Sequence, residues 1–305
     1  MRVYYSIDEY AARANGARVA LGFFDGVHEG HRAVLRRCAA EKGGNEAAAL
    51  TFSQSPAQAL GRQAPPLLTD NARKAELMAQ LGIDAVIFAD FGSLMRMSAE
   101  DFVRDILAAK LKAAGVYCGY DYRFGAGGSG DADALARLCA REGIEVGVEE
   151  PFVMDGDAVS STRIRAMLAG GDIAAANRLL GSRYTVSGRV GGGNRIGRGL
   201  GFPTINLPLG EGLCVPRYGV YAARVTVGGG AYRAAVNIGV HPTVGEAERP
   251  VCECFLLDFG GGELYGESAV CELIGFVRPE MRFADGDALR AQIAHDVVSV
   301  RKMTG

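Results

Sequence analysis

Four stretches of the chain gather residue types that can handle phosphate. In Leu21 to Leu35, LGFFDGVHEGHRAVL, a strand-like run meets a Gly-Asp-Gly turn and then His28 and His31. The i, i+3 spacing puts both imidazoles on one face of a beginning helix. The positive helix end, and close backbone approach at Gly26 and Gly30, would favour an anion there. Two surface histidines, or half of a metal site, would be spelled the same way, although only two other histidines exist to complete such a site.

The second stretch is Ser160 to Arg165, SSTRIR. Adjacent hydroxyls at a helix start can cap it and still hydrogen-bond a phosphate, and Arg163 and Arg165 offer planar forks for phosphate oxygens. Capping alone would account for the serines. Two arginines in a first turn, where the helix dipole disfavours cations, call for an anion opposite. No Gly-Lys pair occurs in the chain, which excludes a Walker-type phosphate loop.

In the third stretch, GNRIGRGLGFPTINL (Gly193 to Leu207), Thr204 and Asn206 put a hydroxyl and an amide two residues apart on one side of an extended segment. Two neutral oxygens so placed can complete a magnesium shell otherwise filled by water and phosphate oxygens. An isolated P-T-x-N is more often a turn. The fourth is VCECFLLDF, where strand alternation sets Glu253 on the face of Val251, Phe255 and Leu257. A carboxylate there lines a cleft or marks an edge strand or barrel mouth.

Two textures of sequence must position these residues. Up to about residue 180, strand-like runs (Arg18 to Phe23, Ala47 to Phe52, Ala85 to Phe88, Gly115 to Cys118, Glu145 to Val148) alternate with helical periods. The helical segments are Arg32 to Ala40, Asp70 to Leu81, Ala99 to Leu111 and Asp131 to Glu142, with capping residues at Thr69 or Asp70 and at Ser98. This order predicts an α/β domain with a parallel sheet, closed by helices over Thr162 to Leu168 and Ile173 to Leu180. From about Tyr184, short runs such as TVSGRV, GVYAARVTV and YRAAVNIGV, separated by Gly and Pro, predict an antiparallel sheet or small barrel. A last helix over Gly286 to Lys302 carries Leu289, Ile293, Val297 and Val300 on one stripe. The expected domains are 1–181 and 182–305.

At 305 residues, 49% hydrophobic and 22% charged, the chain has the composition of an ordinary globular protein rather than a disordered one. A formal charge of −2 gives no global pull toward nucleic acid or anionic membrane, and the expectation is neither partner. No apolar run reaches the roughly 18 residues of a membrane helix, and the N-terminus lacks the order of a signal peptide, so a cytoplasmic location is expected. Seven cysteines without a C-x-x-C form neither a disulfide framework nor a zinc pattern, and read mostly as small apolar filler.

Together with GYDYRFGAGGSGD (Gly119 to Asp131), the motifs FDGVHEGH, SSTRIR and GRGLGFPTIN occur in an order that resembles the prokaryotic bifunctional riboflavin kinase/FAD synthetase family, over about Leu21 to Asp296. The resemblance implies an N-terminal Rossmann-like nucleotidyltransferase that joins FMN to ATP, and a C-terminal six-stranded β-barrel kinase, with its terminal helix, that makes FMN from riboflavin and ATP. Riboflavin, FMN and ATP would be the partners, with magnesium as cofactor and FMN and FAD as intermediate and product.

Carried over by motif, His28 and His31 would hold ATP phosphates during attack on the α-phosphate. Ser161, Thr162 and Arg165 would clamp the leaving pyrophosphate. Gly22, Phe23 and Asp25 fall in the nucleotide-binding turn, and Asp121 with the Phe124-Gly125 turn lies beside the transfer site. Gly197 and Arg198 would contact nucleotide in the kinase half, Thr204 and Asn206 would hold magnesium, and Glu253 would be the kinase base. In-line displacement at phosphorus needs alignment and charge stabilisation more than a protein nucleophile.

One segment departs from the family pattern. Where a Thr-Phe-acid-Pro-His-Pro sequence is common, this chain reads Thr51-Phe52-Ser53-Gln54-Ser55-Pro56. A kinase whose first domain only binds nucleotide is therefore the nearest alternative. A flavin- or nucleotide-sensing regulator is another, which the presence of every candidate catalytic group in both domains opposes.

Overall fold

The computed structural model describes residues 1–191, 204–240 and 250–305. It divides into two compact units, Met1–Pro65 with Thr69–Ser160, and Pro66–Leu68 with Ser161–Gly305.

The first unit is built on six parallel strands: β1 (Arg2–Tyr4), β2 (Ala17–Leu21), β3 (Glu46–Phe52), β4 (Ala85–Ala89), β5 (Ala113–Gly119) and β6 (Glu145–Glu149), in the order β1-β4-β3-β2-β5-β6. Its helices are α1 (Ile7–Ala11), α2 (Glu29–Ala40), α3 (Pro56–Ala59), α4 (Asn71–Gln80), α5 (Phe91–Leu94), α6 (Ala99–Asp101) and α7 (Ala132–Arg141). One sheet face packs Val19, Leu50 and Val116 against Phe102, Ile106, Leu135 and Cys139. The opposite face packs Ala20, Ala49 and Phe88 against Val34, Leu35, Leu77 and Met78. Helices on both faces make this the doubly wound α/β arrangement that the alternation predicts.

Asp70 and Ser98 are the caps expected: their side chains accept from the N–H groups of Arg73 (2.7 Å) and Asp101 (3.0 Å). Other features of the first unit differ from expectation. The edge strand β1 and helix α1 are too short to display a period. The helix expected over Ala99 to Leu111 widens after Asp101 into a π-helix over Phe102–Lys110, and the Leu111 N–H reaches back five residues to Ile106 O. Nothing in the sequence explains the widening.

A small hairpin, β7 (Val153–Met154) with β8 (Asp157–Ala158), ends the first unit. The second opens with α8 (Ser161–Gly170) and α9 (Ile173–Leu180), followed by β9 (Thr185–Arg189), β10 (Thr204–Pro208), β11 (Gly219–Val227), β12 (Gly230–Val240), β13 (Pro250–Leu256) and β14 (Ser268–Pro279). These six strands pair antiparallel in the order β10-β13-β12-β11-β14-β9. The Gly191 N–H donates to Asn206 O across the seam, so the barrel is nearly closed.

Alternate residues fill the barrel interior: Val186, Ile205, Leu207, Val225, Val236, Ile238, Cys252, Cys254 and Cys271 are all buried. The thiols of Cys252, Cys254 and Cys271 lie within 4.8 Å of one another there. All seven cysteines are free and buried, in line with the expectation of apolar filler.

The last helix, α10 (Gly286–Thr304), lies on the outer surface, where Val300 and Val297 pack against Ala222, Phe255, Leu257, Ile274 and Val277. The buried carboxylate of Asp296 fixes it to the end of β14 through a forked pair with Arg278 (Nη2–Oδ2 2.8 Å), and Gln292 Nε2 donates to the same carboxylate at 2.9 Å. Helices α8 and α9 are tied to the barrel as well. Asn177 Nδ2 donates to Leu273 O at 2.9 Å and its Oδ1 accepts from the Tyr184 N–H at 2.7 Å, while the Arg217 N–H donates to Leu168 O. Leu67 pairs with Leu213, and the Cys214 N–H donates to Leu67 O.

Candidate active sites

In the first sheet the chain leaves β2 toward β3 on one side, while β5 and β6 continue on the other, so the strand order reverses between β2 and β5. Open α/β sheets bind ligands outside the carboxyl ends of the strands at such a switch point. The turn Gly22 to His28 follows β2, and Asp121 follows β5, its carboxylate exposed beside Gly119.

The turn is held in a conformation that side chains resist. Phe24 (φ 54°), Gly26 (φ 81°) and Val27 (φ 44°) all lie in the left-handed region, which glycine accepts and a β-branched valine rarely does. Compensating contacts surround it: Thr51 Oγ1 donates to Phe23 O (2.9 Å), the Gly26 N–H to Thr69 Oγ1 (3.2 Å), and Arg32 Nε to Val27 O (3.0 Å). Asp25 is buried at the centre.

His28 is the N-cap of α2, which starts three residues earlier than the periodicity indicates. Its Nδ1 accepts from the His31 N–H at 3.3 Å. The two rings stack, with centroids 3.5 Å apart. Burial pushes His28 down to about 4, and burial, then His28, then Lys74 hold His31 well below the ordinary histidine value. Both rings are therefore neutral at pH 7. With Nδ1 of His28 engaged as an acceptor, its proton resides on Nε2, a donor suited to an anion.

Ser161, Thr162 and Arg165 begin α8 and belong to the second unit. Arg165 Nε donates to Pro66 O at 2.6 Å.

On the barrel, Thr204, Asn206 and Glu253 come together. Thr204 Oγ1 donates to Glu253 Oε1 at 2.6 Å, and the register sets Asn206 of β10 directly opposite Glu253 of β13. Asn237 of β12 flanks Glu253 on its other side, so three polar side chains form one row across three strands. All are half-buried, on the outer face, while their neighbours Ile205, Cys252, Cys254, Val236 and Ile238 point inward. Because the Thr204 hydroxyl gives its proton to the carboxylate, its lone pairs remain available to a cation. Gly197 and Arg198 lie outside the described residues, as does His241.

Two residues were given no role by the motifs. Asn237 carried a signal in its type, since asparagine is depleted inside strands. Lys74 sits among the core positions Ala75, Leu77 and Met78 of α4, a place lysine almost never occupies unpaired.

The FAD synthetase family model matches residues 11–163, and the riboflavin kinase family model residues 180–304. Among curated proteins, the chain is 36% identical over 288 residues to a bifunctional riboflavin kinase/FMN adenylyltransferase of Listeria monocytogenes, covering 93% of this chain and 91% of that one. It is 35% identical over 299 residues to a protein of the same name from Escherichia coli, covering 96% and 95%. Among solved structures, one titled as a macrolide-efflux protein from Streptococcus pneumoniae superposes with a TM-score of 0.87 at 28% identity, covering 98% of each chain.

Proposed function

Since the chain belongs to the bifunctional riboflavin kinase/FMN adenylyltransferase family, it phosphorylates riboflavin to FMN and adenylylates FMN to FAD, and we propose which of its residues carry each reaction. The FAD synthetase match over the first half favours this over a kinase with a merely nucleotide-binding first domain. The extents of the two family models support dividing the reactions between 1–181 and 182–305.

In the kinase, Glu253 accepts the proton of the riboflavin hydroxyl as it attacks the γ-phosphate of ATP. Thr204 and Asn206 would hold magnesium. A pair of neutral oxygens beside one carboxylate fits a small hard cation that keeps most of its shell as water and phosphate oxygens. Magnesium there would neutralise charge on the transferring phosphoryl group. The observation that carries this reading is the 2.6 Å hydrogen bond from Thr204 to Glu253, which brings the metal-binding and proton-accepting candidates to one point. Gly197 and Arg198 are assigned to nucleotide binding by motif alone.

In the adenylyltransferase, the neutral rings of His28 and His31 donate to ATP phosphates at the switch point, and Gly22, Phe23 and Asp25 shape the turn. Asp121 lines the crevice from β5. For Ser161, Thr162 and Arg165 as ligands of the leaving pyrophosphate, the support is the motif. Among the described residues no helix is long and apolar enough to cross a membrane, and seven free cysteines suit the reducing cytoplasm. The test is chromatography of products from riboflavin, ATP and magnesium. Formation of both FMN and FAD is expected, and FMN without FAD at saturating FMN and ATP would overturn the adenylyltransferase half.

A further inference from the structure

Lys74 is 1% exposed, on a helix whose other buried residues are Ala75, Leu77 and Met78. A buried ammonium is costly unless its hydrogen bonds and charge are answered. Its Nζ donates to Phe23 O at 2.9 Å and stands 4.3 Å from the centroid of the Phe23 ring. Asp25 provides the opposite charge, and His31 feels the ammonium from α2. All three neighbours belong to the phosphate turn or the histidine pair. A residue needed only for packing would not be a lysine here.

The Phe23 carbonyl therefore receives two donors, Lys74 Nζ and Thr51 Oγ1, both at 2.9 Å. Four residues on, the Val27 carbonyl is held by the buried Arg32. No peptide bond among the described residues is cis, and in a trans peptide the carbonyl and the following N–H point in opposite directions. Pulling the Phe23 carbonyl inward thus turns the Phe24 N–H outward. Among the described residues, that N–H has no hydrogen-bond acceptor in the chain. Phe24 itself holds a left-handed φ of 54°, and a strained residue persists only when its surroundings over-determine it.

We propose that Lys74 is a positioning residue for adenylyl transfer: acting with Thr51 through the Phe23 carbonyl, it fixes the Phe23-Phe24 peptide so that the Phe24 N–H is presented to a phosphate oxygen of ATP. The role rests on the adenylyltransferase reading above, and deepens it by adding a backbone donor to the two imidazoles.

The test uses the full-length protein, with riboflavin phosphorylation as an internal control. Lys74→Met should leave FMN formation unchanged and cut kcat for FAD formation from supplied FMN by roughly 10², the scale of losing one aligned transition-state donor, with a much smaller change in KM for ATP. Lys74→Gln, which keeps a donor, should recover most of that loss. Thr51→Val should lower kcat alone but add little in the Lys74→Met background, because both act on one carbonyl. Should Lys74→Met fail to fold, Thr51→Val alone carries the test, and an unchanged kcat for FAD formation in that variant would overturn the proposal. FAD formation by Lys74→Met within threefold of wild type, a loss confined to KM, or full additivity with Thr51→Val would each overturn the proposal. Failure of the wild-type protein to form FAD would instead overturn the function from which it starts.

Discussion

Lowering the pH from 7 to 4 should destabilise the first unit through His28, by an amount that a His28→Gln variant escapes. In the folded protein the buried ring stays neutral down to about 4, whereas in the unfolded chain it takes up a proton near 6.5. The stability it contributes is complete above pH 6.5 and is lost progressively as pH falls to the folded value, because over that window only the unfolded chain binds the proton. At 1.36 kcal/mol per decade the loss reaches about 3 kcal/mol, a large part of the 5 to 15 kcal/mol that holds an ordinary domain together. Glutamine removes the titration but keeps an acceptor for the His31 N–H. The chain has no tryptophan, so urea unfolding is best followed by pulse proteolysis of the N-terminal half at pH 7, 5.5 and 4. Carboxylates and His31 titrate in both proteins, and comparison of the two isolates His28. Parallel loss of stability in wild type and variant, within about 0.5 kcal/mol, would show that the fold does not hold this ring neutral.

Glu253→Gln should abolish riboflavin phosphorylation, by about 10² to 10⁴ in rate, while FAD formation from supplied FMN survives; near-normal FMN output would remove the carboxylate from the mechanism. A fragment of residues 184–305 should fold and phosphorylate riboflavin, and residues 161–305 should melt at higher temperature, since they retain the bonds of Asn177 to Leu273 and Tyr184. An inactive 184–305 beside an active full-length chain would mean that α8 and α9 are required. FAD synthesis should be measurable despite Ser53-Gln54-Ser55, with a raised KM for ATP or FMN that an acid at 53 and histidine at 55 lower; an unchanged KM would show that this segment is not what sets affinity.

The α/β order, the caps at Asp70 and Ser98 and the barrel strands were legible because each rests on a local period or a short motif, whereas the meeting of Thr204 with Glu253 is set by strand register. Lys74 was not legible. Its helix showed the right periodicity, but what makes a lysine tolerable at a core position is a carbonyl 51 residues away, which no window of sequence contains. Asn237 escaped for the same reason, its place beside Glu253 being set by strand register. β1 and α1 were invisible because three and five residues cannot display a period. The π-helix after Asp101 buries the same side chains that an α-helix would, so hydrophobic patterning cannot distinguish the two.

The strand β13 is in effect written in two interleaved alphabets. Cys252, Cys254 and Leu256 face a close-packed interior, and Val251, Glu253 and Phe255 face outward, where Glu253 meets Thr204. Substitutions that repack the interior can accumulate, in nature or in the laboratory, without touching the chemistry, because the pleat separates the two sets at every step. The same arrangement makes the strand intolerant of changes in length. One inserted or deleted residue ahead of Glu253 would turn the carboxylate into the apolar interior and expose the thiols, exchanging both sets at once. Point mutation should therefore be the route by which this barrel diversifies, and insertions should be confined to the connections between its strands.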